Sequence, residues 1–141
     1  MGTWDVGPFD NDTAADWCGD FDDASPDARQ GLVRDTLVRA ADTTDYLDAD
    51  VGDEAIAAAA LVAAQCPGGE PADPHYGPDE PVPDLTGLRA LALRALDRVM
   101  TKPSELLEVW GESDGNPWHA VINRLRETLT PRPPGEQPNL I

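Results

Sequence analysis

At 141 residues the chain has room for one domain with its own buried core. Its 27 acidic and 10 basic side chains leave a formal charge of −17, which argues against a direct grip on nucleic-acid phosphates or on anionic membranes. Two cysteines make no disulfide framework, and no signal-peptide core or apolar run of about 20 residues is present, so a cytoplasmic protein is expected.

The charge is unevenly spread. No Lys or Arg precedes Arg29, while eight Asp residues do. Across the chain, Asp outnumbers Glu 19 to 8, and nine arginines stand beside the single lysine, Lys102. With so much Ala, Gly and Pro, this matches the habit of a GC-rich or salt-adapted genome. Charge alone is therefore weak evidence for function.

Residues 1–9 read as an ordered arm: Gly2, Gly7 and Pro8 supply turns, and Trp4 and Phe9 call for burial. Asp10 or Asn11 caps a helix running to about Asp23. Ala14, Trp17, Cys18 and Phe21 share one face of it, and Asp12, Asp16, Asp20 and Asp23 line the other. Like charges at that spacing repel by a few tenths of a kcal/mol per pair. Ser25-Pro26-Asp27 opens a second helix to about Leu47, with Leu32, Val33, Leu37, Ala40, Ala41, Thr44 and Leu47 as its buried arc. Arg34, Asp35, Arg39, Asp42 and Asp45 form a mixed, salt-bridged outside. Asp50, with Asp53 and Glu54, caps a third helix whose Ala55–Ala64 stretch is apolar on every side, the pattern of a central helix. Cys66-Pro67-Gly68-Gly69 ends it.

Residues 67–84 hold six prolines and three glycines and read as a long loop, with His75 and Tyr76 its distinctive side chains. A fourth helix from about Leu85 to Thr101 carries a basic stripe, Arg94, Arg98 and Lys102. Arg89 falls inside its apolar arc, so it either snorkels or meets a carboxylate. Ser104 to Trp110 form a short helix stopped by Gly111, and Asn116-Pro117 starts a last one with Trp118, Val121, Ile122, Leu125 and Leu129 inward. Prolines 131, 133, 134 and 138 mark residues 131–141 as a flexible tail. No strand alternation or repeat occurs. The expectation is all-α: a single compact bundle of five to six helices over residues 1–130.

The opening Phe9-Asp10-Asn11-Asp12-Thr13-Ala14-Ala15-Asp16-Trp17 resembles a bacterial family, domain of unknown function 4259, whose members begin with a Met-Gly-x-Trp-x-x-Gly-x-Phe-Asp-Asn-Asp pattern. The resemblance continues at Ala55–Ala64, at Ser104–Ser113 and at Trp118. It implies a small cytoplasmic protein and carries over no catalytic residue; Asp5 stands where many members have Gly.

Several chemistries can be weighed on the residues. Asp10, Asp12 and Asp16 offer oxygen ligands for a divalent cation, but they lack the glycine and distal Glu of a calcium loop, and capping explains them more simply. His75 and His119 have no Cys or His at zinc spacing. Cys18 lies on an apolar face, where thiols are inert. No cofactor motif is present. Trp4, Trp17, Trp110 and Trp118 read mainly as core. The Asp12/Asp16/Asp20/Asp23 face reads as a docking surface for a basic partner, as a partner to Arg94, Arg98 and Lys102 within the chain, or as a solvated face. An acidic interaction protein of the immunity, antitoxin or inhibitor kind fits best, with a DNA mimic as its sharper variant. The alternatives are a metal-dependent hydrolase built on Asp10, Asp12 and Asp16 with His119 or Arg89, and a structural subunit contacting through Trp4 or Trp110. The sequence sets no oligomeric state.

Overall fold

The computed structural model describes residues 8–9, 11–67, 69, 78, 82–111 and 117–130. It is an all-α bundle: α1 (Asp12–Asp23), α2 (Arg29–Ala41), α3 (Ala49–Ala64), α4 (Arg89–Val99), α5 (Glu105–Trp110) and α6 (Pro117–Leu129). A 3-10 turn precedes α2 (Pro26–Ala28) and another precedes α4 (Thr86–Leu88). Trp4, Asp10, His75, Tyr76 and the tail at 131–141 lie outside the described residues.

The sequence of α3 makes it the centre. From Ala55 to Ala63 every residue is buried, and α1, α2, α4, α5 and α6 all pack on it. Small side chains on every side let five neighbours approach one axis, an arrangement that bulkier residues would hold apart. Into the remaining space go Phe21, Leu37, Leu61, Leu96, Ile122 and Leu129, each essentially inaccessible.

α1 begins as its sequence dictates. The Asn11 side chain accepts from the Ala14 backbone N–H at 2.8 Å, capping the helix. Ala14, Trp17, Cys18 and Phe21 are buried, and the Trp17 indole donates to Thr36 Oγ1 of α2 at 2.9 Å. The far end of α1 has no basic residue of its own in the last turn. Arg29 supplies one from outside: it is buried, its ring-facing guanidinium sits 5.6 Å over Phe21, and it donates to the Phe21 and Asp22 carbonyls.

Four local expectations are corrected. α2 stops at Ala41, six residues short of Leu47, because the Thr43 hydroxyl bonds back to the Arg39 carbonyl and Arg98 of α4 takes the Thr43 and Asp45 carbonyls. Leu47 is still buried, but as an isolated parallel bridge to Ser104, and Thr44 is exposed. The residue flanking the start of α3 is Asp48, not Asp50, and the orphan N–H of Ala49 is met by Glu105 Oε1 of α5 at 2.7 Å. α4 proper begins at Arg89 and ends at Val99, with a 3-10 turn replacing its first residues. Arg89 does not snorkel, and among the described residues it meets no carboxylate. Its Nε donates to the Leu129 carbonyl at 3.0 Å and Nη2 reaches that of Thr128, so it caps the end of α6.

The exit from the proline-rich stretch is pinned by α3's last turn. Gln65 donates to the Pro83 carbonyl and accepts from the Leu85 N–H, both at 2.7 Å. The C-terminal side is tied by aromatics: Trp110 stacks near-parallel on Trp118 at 6.1 Å, and His119 donates through Nε2 to the Gly111 carbonyl. Gly111 has φ +86°, a conformation favouring glycine, where α5 ends. Both cysteines are buried and neither is in a disulfide.

Candidate functional site

The acidic face of α1 is where its periodicity puts it. Asp12, Asp16, Asp20 and Asp23 are all exposed, and among the described residues none has an ion-pair partner. One helical turn separates successive members of Asp12, Asp16 and Asp20, a rise of about 6 Å. The basic stripe of α4 serves other groups. Arg94 pairs with Asp42 at 3.2 Å, and Arg98 is held by the carbonyls of Thr43, Asp45, Thr101 and Pro103. Both arginines therefore secure the end of α2.

A second group of carboxylates, which sequence reading took only as helix caps, adjoins the first. The Thr13 hydroxyl of α1 donates to Asp50 of α3 at 3.2 Å. Asp20 of α1 acts on Glu54 of α3 through its charge. The acidic surface thus passes from α1 onto the first two turns of α3, and from there to α5 through Glu105. Leu106 of α5 packs so closely over Gly52 that a Cβ there would lie 2.6 Å from its Cδ1. That contact seats α5 on α3 and accompanies the approach of Glu105 to Ala49 and Asp53.

Electrostatics separate the members of this surface. Asp53 is half-buried, and burial first, then the charges of Asp50, Glu105 and Glu54, push its carboxyl from 3.8 up to about 7. Burial also raises Glu54, against the pull of Arg39 (3.2 Å away) and reinforced by Asp50 and Asp20. On the α5 side Tyr46 donates to Glu108 Oε1 at 3.0 Å. Desolvation, that hydrogen bond and the charges of Glu108, Glu105 and Asp48 push its phenol from 10 up to about 12.

The other sequence candidates are dispersed. Among the described residues no three His, Cys, Asp or Glu side chains group as metal ligands would. His119 is buried against Trp118, and Arg89 is occupied by α6 carbonyls. Phe9 and Trp17 are buried in the core, as is Trp118, while Trp110 is half-buried. A shallow groove between α4 and α6, of about 450 Å³, is lined by Leu93, Asp97, Asn123, Arg126, Glu127 and Thr130 and is crossed by the 2.9 Å Arg126–Asp97 pair. Among the described residues no helix is long and apolar enough to cross a membrane.

Fold and surface together define a small, acidic, all-α protein in which one set of carboxylates spans α1, α3 and α5. The family model Domain of unknown function (DUF4259) matches residues 2–121, and the chain belongs to that family. Comparison with curated proteins and with solved structures returned no match.

Proposed function

We propose that the chain is a non-enzymatic interaction protein that docks a basic protein through this three-element acidic surface, in the manner of immunity, antitoxin or inhibitor proteins. The observation that carries the reading is that α1's four carboxylates have no ion-pair partner among the described residues and lie beside α3, where burial first and neighbouring carboxylates second raise Asp53 and Glu54. Holding carboxylates this close works against the fold, and an incoming Lys or Arg relieves it. A field of one sign also draws an oppositely charged partner from beyond contact range and speeds capture.

The test is affinity capture from the source lysate at low and moderate salt, comparing the native chain with the fourfold variant Asp12→Asn, Asp16→Asn, Asp20→Asn, Asp23→Asn. A basic protein held by the native chain and lost by the variant is the expected result. The same proteins held by both would overturn the proposal.

A further inference from the structure

We infer that Tyr46 together with Glu105, Glu108 and Val109 of α5 forms the specificity contact of this surface, fitted to an amphipathic basic segment that presents an apolar side chain beside its Lys or Arg residues. The inference rests on the docking reading above and adds to it a place and a chemistry.

Tyr46 and Val109 are the exposed large hydrophobic residues among those described, at 45% and 66% exposure. Isolated surface hydrophobes are ordinary, but these two belong to segments that are bonded to one another. The segment ending α2 and the start of α5 are laced together by the Leu47 N–H on the Pro103 carbonyl and the Glu105 N–H on the Leu47 carbonyl, at 3.1 and 2.9 Å. Tyr46 is then tied by its hydroxyl to Glu108, the residue next to Val109. The ring is thus held in place beside α5, framed by Glu108, Glu105 and Asp48.

Nothing internal requires Val109 to face outward. Leu106 and Leu107 supply the buried side of α5, and a β-branched residue adds nothing to the propensity of so short a helix. A partner that covers it removes apolar area from water, while Glu105 and Glu108 of the same short helix receive its cations. The exposed Tyr46 ring adds a surface on which a guanidinium can stack. Tyrosine is among the residues enriched where a contact carries most of the binding energy. An all-polar polycation would meet the charge and leave Val109 wet.

Two fluorescein-labelled peptides of about 15 residues and equal charge separate these cases, one alternating Lys with Leu and one alternating Lys with Ser. Each is titrated by anisotropy against the full chain, a Tyr46→Ser/Val109→Ser double variant and the fourfold α1 variant, with circular dichroism melts confirming that all three fold. The native chain is expected to prefer the Lys/Leu peptide by about tenfold, the worth of one buried aliphatic side chain. The double variant should lose that preference while keeping its affinity for Lys/Ser. A preference that is absent from the native chain, or survives in the double variant, overturns the inference. If the native chain keeps its Lys/Leu preference but the fourfold variant binds each peptide as tightly as the native chain does, the α1 docking reading fails and the inference about Tyr46 and Val109 stands, so the two failures are distinct.

Discussion

On α1 the carboxylates of Asp12, Asp16, Asp20 and Asp23 stand in water at one-turn spacing, whereas at the junction of α3 and α5 Asp53 is half-buried among Asp50, Glu54 and Glu105. The same chemical group does different work in the two places. Exposed charges repel weakly, are screened by salt and act at long range. Part-buried Asp53 holds its proton more tightly, so its charge depends on pH and on whatever cation arrives. One region suits steering and the other suits short-range recognition.

Removing Asp53's charge should show the contrast most strongly. Between 3.8 and about 7 the folded chain holds this proton and the unfolded chain releases it, so stability falls as pH rises through that window. Each unit of raised affinity costs about 1.4 kcal/mol once the group ionises, and residual solvent contact brings the total to about 2–3 kcal/mol. Asp53→Asn should therefore be about 2–3 kcal/mol more stable than the native chain at pH 8 and equal to it near pH 4, as read by urea denaturation. Equal stabilities at both pH values would erase the distinction between the regions.

Glu105 sharpens it next, because it caps Ala49 while repelling Asp53. Glu105→Ala should lose about 1 kcal/mol for the missing cap, and Glu105→Gln, which keeps an acceptor without charge, should lie within about 0.5 kcal/mol of native. Equal losses in both would mean that the charge itself is what α3 needs. On the other side, Asn11→Ala should cost about 1 kcal/mol through the cap it gives α1. The smallest effect belongs to the outer face: Asp16→Asn should stabilise by a few tenths of a kcal/mol, since it only relieves one-turn repulsion. A loss above about 1 kcal/mol there would place Asp16 in a structural role.

The contrast also explains what could be read in the chain. α1 was legible because its cap, its buried face and its acidic face all follow from residues within one helix. The all-apolar stretch of α3 was legible for the same reason, since only a central position can use it. Arg89 was misassigned because its partners, the carbonyls of Thr128 and Leu129, lie about forty positions away and have no side-chain signature. The end of α2 was misplaced because Leu47 continued the helical period by coincidence while serving the bridge to Ser104. The junction cluster was invisible for the first of these reasons. Asp50, Asp53 and Glu54 look like the acidic first turn of any helix, and only the docking of Leu106 on Gly52 sets Glu105 against them. A pair of glutamates opening a short helix beside an exposed valine was the one local hint.

The most direct measurement is the association rate of the captured basic protein across ionic strength, for the native chain and the fourfold Asp12/Asp16/Asp20/Asp23→Asn variant. The account predicts a rate that falls steeply with salt for the native chain and a slower, flatter one for the variant. Rates and salt dependence unchanged by the four substitutions would contradict a docking role for the acidic surface.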